Sequence, residues 1–423
     1  MPPKGRNCRR SLPPDFLSNL PDNVIDLILI CLPCKDAVRT SILSRKWRYN
    51  WCRRTELMLD ASPWISQMDP TIKFTNTINQ IMTLHEGPVT KFTLDVGSLK
   101  SCPNIDNFIN FLFRNGIQHL VLRLPSVQWG KIYKVPSSLF TCLQLRHLSL
   151  HHCLIHPPSV LQGFHKLISL ELFEISISSE LLGTLISLCP LLEQLALEIL
   201  EILNIIEINA PMLRSFDFKG CISSICLKNV PCLAKISLIG EDSYEDMENF
   251  DLAEFFESCY ALEHLLFDFF KSQLLDDALD EAPTRLPFDL NHVKHFHVPR
   301  IELVESYGLS CALCLIRSFP YLEYLEVGVY LEEDNGIVES LELEWFSNVT
   351  FNHLKEVKLE RFTGTMPELQ LIELFLAKSP VLVRVLIDTW LLDGEDPDIM
   401  LNASTELSNY YRASPKAELV YLK

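Results

Sequence analysis

Fourteen cysteines and twelve histidines are the residues of this 423-residue chain whose types could hold a metal or do redox chemistry. Two C-x-x-C pairs occur, Cys31/Cys34 and Cys311/Cys314, a separation that can suit zinc. Cys31 and Cys34 straddle Leu32-Pro33, where a helix must stop, and no histidine accompanies them. Cys311-Ala-Leu-Cys314 lies within an apolar helical run from Leu309 to Ile316, so both pairs read as small core hydrophobes. His151, His152, Cys153 and His156 form the densest cluster of ligand types, without a carboxylate close in sequence. His295 and His297 share a strand face, a geometry that suits a metal and equally an ordinary polar surface. The carboxylate pairs Asp276/Asp277 and Glu332/Glu333 fall on expected loops, where a general acid is hard to hold in place. No G-x-S-x-G elbow, H-E-x-x-H helix, Walker loop or dinucleotide fingerprint is present. The expectation is a chain with no catalytic residue, no metal and no cofactor.

The first element that must position anything is the stretch from Asp15 to Trp51. Leu20-Pro21 opens it, and Pro21 suits the first turn of a helix because its missing N–H has no helical partner there. Ile25, Ile28, Leu29 and Leu32 recur at helical spacing, with Asp22 and Asp26 in the early turns where negative charge suits the dipole. Pro33 stops that helix. Asp36 is placed to cap a second, with Ala37, Val38 and Ile42; Ser44 is placed to cap a third, with Trp47 and Trp51 on one face. A piece of about forty residues lies near the lower limit for a self-standing domain. Its many apolar groups, each contributing roughly 1.5–3 kcal/mol if buried, exceed what so small a bundle hides. The surplus packs on the rest of the chain or docks into another protein.

Taken in order, Leu20-Pro21, Ile28-Leu29, Leu32-Pro33, Ala37-Val38-Arg39-Thr40, Leu43-Ser44 and Trp47 to Trp51 make this segment resemble a plant F-box. The resemblance implies that it binds the Skp adaptor of a cullin-RING ubiquitin ligase. It makes Leu20, Pro21, Ile25, Ile28, Leu29, Leu43 and Trp47 the adaptor-facing positions.

The net charge of −17 hides an asymmetry. Residues 1–54 hold eleven Lys and Arg against four Asp and Glu, a surplus of +7, which leaves −24 for the remainder. An acidic body disfavours nucleic-acid binding, because phosphate neutralisation needs the opposite sign. No apolar run reaches the ~18 residues of a membrane span, and the basic Pro-rich start lacks the apolar run of a secretory signal. Residues 1–13 read as a disordered lead-in. Cysteines without a signal point to a reduced setting, cytoplasmic and/or nuclear.

From residue 89 one pattern recurs twelve times: apolar, two variable, apolar, one variable, apolar. It runs from Val89-Phe92-Leu94 through Leu145-Leu148-Leu150, Leu167-Leu170-Leu172 and Leu192-Leu195-Leu197 to Leu382-Val385-Ile387. Most steps fit a leucine-rich repeat of 20–29 residues. Helical stretches such as LLGTLISL from Leu181 and LIELFLAK from Leu371 precede many copies. Strands about 4.8 Å apart carrying helices about 10 Å wide must curve. The fold class that follows is α/β: a three-helix F-box, then an irregular leucine-rich-repeat solenoid with a parallel sheet on its concave side and helices on its convex side. The expected divisions are 14–60 for the F-box, 61–350 for the solenoid and 351–423 for a C-terminal region continuing the array. That last region resembles the FBD segment of plant F-box proteins through Phe362, Gly364 and Glu368-Leu369, and residues 393–415 are expected to be poorly ordered.

Alternation along each strand turns His147, Ser149, His151, Ser169, Glu171, Phe173 and Gln194 outward, and these make the candidate target-binding face. Later strands add His264, His295, His297, Tyr324, Glu326, Lys358 and Glu360 to the same side. Two acidic inserts, Glu241 to Glu257 and Lys271 to Asp289, interrupt the array. The function expected is a substrate-recognition adaptor of an SCF-type ligase, bound to a Skp-type adaptor and through it a cullin, and holding an unknown target protein. No nucleic acid and no membrane are expected as partners. Two alternatives stay open: an interaction scaffold outside any ligase, and a ligand receptor with a small molecule near His147, His151 and Phe173.

Overall fold

The computed structural model describes residues 16–17, 19–114, 116–126, 132–156, 163–199, 204–240, 251–268, 284–301, 307–329, 349–389 and 397–422. The expected lead-in, most of both acidic inserts, and the pairs Asp276/Asp277 and Glu332/Glu333 lie outside them. The chain divides into two compact units, residues 1–147 and 148–423.

The first unit contains α1 (Asp22–Ile30), α2 (Cys34–Arg39), β1 (Glu56–Asp60), α3 (Pro70–Leu84), β2 (Lys91–Asp95), α4 (Ile105–Arg114), β3 (His119–Arg123) and the short β4 (Tyr133–Lys134). Pro21 sits one residue ahead of α1, and its carbonyl accepts from the Val24 and Ile25 amides at 3.0 and 3.1 Å. Asp36 is inside α2 and pairs with Arg39 at 3.2 Å, while Pro33 occupies the cap position. The expected third α-helix is replaced by a turn over residues 45–49 and a 3-10 segment, Asn50–Arg53. Long-range bonds hold this stretch. Lys46 reaches the Leu20 carbonyl and Asp22, and the Trp47 indole N–H donates to the Leu17 carbonyl at 2.9 Å. Ser44, with no hydrogen bond from its hydroxyl among the described residues, caps nothing.

β1 pairs in parallel with β2, Leu57 beside Phe92 and Leu59 beside Leu94, and β2 pairs likewise with β3. Residues 56–60, which the sequence reading gave to the F-box, are therefore the first rung of the repeat array.

The second unit takes up the array with β5 (His147–His151), at whose start the division falls, followed by β6 (Cys153–Leu154), β7 (Ser169–Phe173), α5 (Ser179–Ser187), β8 (Gln194–Glu198), β9 (Ile206–Asn209), β10 (Ser215–Gly220), β11 (Ile225–Lys228) and β12 (Lys235–Gly240). Then come α6 (Leu252–Phe256), β13 (His264–Asp268), β14 (His295–Ile301), α7 (Tyr307–Arg317), β15 (Tyr324–Val329), β16 (Glu356–Glu360), α8 (Met366–Lys378), β17 (Arg384–Asp388), α9 (Pro397–Asn409) and β18 (Glu418–Leu422). From β7 to β18 the long strands pair parallel, each with the next: Leu170 meets Leu195, which meets Phe216, which meets Ile236. Every residue of the twelve apolar triplets, in both units, is at most 6 % exposed. Burial of that extent is what holds together strands that, among the described residues, pair only in parallel.

Helices do not cover every repeat. Where the triplets step by only 21 and 20 residues, from Leu192 to Leu213 to Leu233, the chain is too short to return through a helix. There β9 and β11 form a second parallel pair, Ile206 beside Ile225 and Ile208 beside Leu227. Pro299 and Arg300 bulge β14 between Val298 and Ile301, and Gly328 accepts the intrusion: a Cβ there would lie 2.0 Å from the Pro299 carbonyl oxygen.

The C-terminal region is more ordered than its sequence suggests. α9 fills much of 393–415, and β18 pairs with β17, Leu419 beside Val385. Glu368 explains part of the FBD-like motif: it is buried at the start of α8, where its carboxylate accepts from the Thr363 and Thr365 amides and both hydroxyls at 2.9–3.1 Å. Burial is the dominant influence and pushes its pKa up despite those bonds.

Candidate functional site

Two kinds of surface stand out. The first is the outer side of the N-terminal helices. α1 is apolar almost all round, so one side fills the core while the other has nothing of its own chain to cover it. Ile25 and Leu29, one turn apart, face inward together with Trp47, and each is about as buried as a core residue can be. The sequence reading made these three adaptor-facing; instead they form the module's own core, because the large indole and the i, i+4 aliphatic pair fill its interior. Ile28, Leu43 and Pro21 are exposed and Leu20 is half-buried. Phe16, Leu17, Leu27, Ile30, Ile42 and Tyr49 are exposed as well, Ile42 to 88 %, and no spacing rule singled them out. The signal that could have done so is α1 itself: six apolar residues in Val24–Ile30 leave no polar side. Arg39, Arg45, Arg48 and Arg53 are exposed in the same module, which gives it a basic character.

The second surface is the solvent side of the parallel sheet. Of the seven candidate residues, Gln194 is exposed and His147, His151, Glu171 and Phe173 are half-buried. Ser149 and Ser169 are buried, because small side chains sink beneath larger neighbours on a pleated face. In the first unit His147 stacks on His119, ring centres 4.3 Å apart, and burial and the facing imidazole both lower the His119 pKa. In the second unit His151 stacks on Phe173 at 4.5 Å, and its Nε2 lies 3.3 Å from the Ser149 hydroxyl. Within each unit the residues brought together are thus a stack of rings rather than an open polar patch.

A richer constellation lies further along, on residues the sequence placed on this face but left out of the candidate set. His264, His295 and Tyr324 are the first residues of β13, β14 and β15, and the in-step register stacks their rings at 4.3 Å. Burial depresses the pKa of both histidines, His295 further through His264. One row on, Lys358 donates to Glu326 at 3.1 Å and Glu360 at 2.8 Å, and His297 Nε2 lies 3.2 Å from Glu360. The His297 hydrogen bond, with help from Lys358, holds Glu360 down at about 2. His297, Glu326 and Glu360 offer donor atoms within 4.8 Å of one another, the spread from which a divalent ion could gather ligands. Lys358 already pairs with both carboxylates, so the arrangement reads as an ion-pair network.

The cysteines make no comparable site. The thirteen described are free thiols, and burial pushes Cys142, Cys153 and Cys259 up to about 12 and Cys314 to about 11. A thiol held so far above neutrality is a poor nucleophile and a poor ligand. Cys31 is exposed and Cys34 buried, so this pair does not present two sulfurs to one side.

Comparison with known proteins supplies the context. An F-box domain model matches residues 17–55. A second model, for the LRR repeats of FBD-associated F-box protein At5g56370, matches residues 105–250. The chain is 35 % identical over 424 residues to the F-box/FBD/LRR-repeat protein At1g13570 of Arabidopsis thaliana, covering 97 % of this chain and 99 % of that one. It is 30 % identical to the putative FBD-associated F-box protein At5g22720 of the same plant, over 52 % of this chain and 47 % of the relative. F-box protein At5g03100, also from Arabidopsis thaliana, is 27 % identical over 49 % of this chain and 64 % of its own length. The F-box match ends at residue 55, one residue before β1 opens the repeat.

Proposed function

Because the chain belongs to the F-box/FBD/LRR-repeat family, we propose that it is the substrate-recognition adaptor of an SCF-type cullin-RING ubiquitin ligase. Its helical end docks on a Skp-type adaptor and through it a cullin, and the solvent side of its sheet holds a target protein. The observation that carries the reading is the apolar surface left on the F-box, with Ile28, Ile42 and Leu43 in water. An apolar surface of this kind on a small module marks a protein partner. Docking draws on Leu20, Pro21, Ile28, Ile42 and Leu43, while Ile25, Leu29 and Trp47 support them from beneath. The exposed arginines favour an acidic partner and raise its rate of encounter.

The chain itself performs no bond chemistry in this scheme. By holding a target beside a ubiquitin-transfer machine it makes that reaction effectively intramolecular, and positioning alone can be worth many orders of magnitude. No described helix is long and apolar enough to cross a membrane, and the reading places the protein in the cytoplasm and/or nucleus. The test is co-purification of the tagged full chain with a Skp-type adaptor and cullin. Stoichiometric recovery of both supports the ligase reading. Recovery of target proteins without either leaves an interaction scaffold and removes the ligase role.

A further inference from the structure

The turns that lead into β14, β15 and β16 enclose a cavity of about 340 Å³ within the second unit. None of its lining residues belongs to a strand, so it lies apart from the sheet's solvent side. Its size falls at the lower end of the range for small-ligand sites, enough for one side chain with its backbone. Phe319, Leu322, Val349 and Phe351 make an apolar floor, each at most 5 % exposed. Two of these rings are braced from behind: Phe319 meets Phe296 edge to face at 5.4 Å, and Phe351 meets Phe375 likewise at 5.4 Å. A floor packed in this way keeps its shape without a ligand.

The lip is cationic. Arg285 and His353 are exposed, Arg317 is half-buried, and no acidic residue lines the cavity. Residues 55–423 carry a net charge of −24, so two guanidinium groups around one hollow run against the charge of the chain that surrounds them. Both are held in place: Arg317 Nη1 donates to the Thr284 carbonyl at 3.2 Å, and Arg285 pairs with Asp289. Thr350 and Asn352 add a hydroxyl and an amide to the same lip. An apolar floor alone selects an apolar group, and arginines alone select any anion. Joined in one small cavity they select a group that is apolar and carries a carboxylate on the same few atoms. An internal Asp or Glu has no apolar body to fill the floor, whereas an apolar residue at a chain end has both parts on one Cα.

We propose that this cavity takes the C-terminal residue of a partner chain, a Phe- or Leu-like side chain on Phe319 and Phe351 and the terminal carboxylate among Arg285, Arg317 and His353. The site holds whether or not the sheet's solvent side is the target surface.

The test uses the full chain and fluorescently labelled eight-residue peptides ending in Phe or Leu, each with a free carboxylate or a terminal amide. The free-acid peptides are expected to bind at least about tenfold more tightly than the amides, the worth of a charge-assisted contact. Arg285→Gln with Arg317→Gln should remove that difference. Arg317 also holds the turn at Thr284, so Asn352→Trp serves as a second variant. It closes the lip, keeps both arginines and should weaken the free-acid peptides to the same degree, with the thermal midpoint of each variant read alongside. Lys294→Gln removes a cation from an exposed position outside the cavity and should change nothing. Equal binding of acid and amide, an acid preference that survives Asn352→Trp, or no binding of any peptide overturns the proposal. Free 3-phenylpropanoate binding as tightly as the peptides overturns the chain end as occupant and gives the cavity to a small acid.

Discussion

The F-box and the repeat array handle apolar residues in opposite ways. In the array every residue of the recurring triplets is hidden, and the aliphatic residues that meet water, such as Leu191, Ile205 and Val383, lie outside the triplets. In the F-box the helices carry more apolar surface than three short segments can enclose, and Ile28, Ile30, Ile42 and Leu43 are left in solvent. Both behaviours come from the same force. A repeat buries its apolar side against identical neighbours before and behind it, whereas a small bundle has no second layer of its own. The array thus closes its apolar triplets on itself, and the proposed function gives the exposed apolar side of the F-box to a partner.

The comparison can be broken most severely from the inside. Trp47→Ala should cost about 3–5 kcal/mol, because the ring is buried and its N–H holds the chain at Leu17. Leu195→Ala should cost about 2–5 kcal/mol through lost burial and the cavity left behind. Urea unfolding monitored by circular dichroism reads both. The two should differ in place: Trp47→Ala opens amides of the F-box to hydrogen exchange, and Leu195→Ala opens those of β7 to β10. Gly328→Ala should follow at about 1–3 kcal/mol, since its methyl would enter the Pro299 carbonyl.

Surface changes should separate stability from binding. Ile42→Ala and Leu43→Ala should alter stability by no more than about 0.5 kcal/mol yet weaken capture of a Skp-type adaptor. If Ile42→Ala unfolds the module, its outer side is not a partner surface. The smallest effect concerns Glu360. Its pKa is about 2 in the fold against an ordinary value of 4.5, so its contribution is present above 4.5 and is lost as pH falls from 4.5 towards 2. Glu360→Gln should lower thermal stability at neutral pH, where the contribution is present, and flatten its further loss between pH 5 and pH 3. An acid limb as steep as wild type would remove His297 and Lys358 as the cause.

Legibility followed the same division. The array could be read because its spacing repeats, and a strand whose alternate residues are apolar has only one way to face a core. The two rungs that escaped, β1 and β18, have Arg54 and Lys416 where the pattern starts with an apolar residue. β9 and β11 escaped because the number of residues available, rather than their type, excludes a helix there. The F-box resisted reading residue by residue. Where nearly every side of α1 is apolar, spacing cannot tell Ile25 from Ile28, and which one is buried depends on where Trp47 lands. On the sheet, alternation gave the facing residues, but not that Ser149 and Ser169 sink or that His264, His295 and Tyr324 align into one stack. Those outcomes depend on register between strands, which no single strand contains.

On the proposed function, the F-box surface faces a partner and can be altered without loss of the array. The measurement is the dissociation constant of a Skp-type adaptor for the full chain and for Ile28→Ala, Leu43→Ala, with the thermal midpoint of each. Adaptor binding should weaken at least about tenfold, with the midpoint unchanged and capture of the target retained. Undiminished adaptor binding by the folded double variant would contradict it.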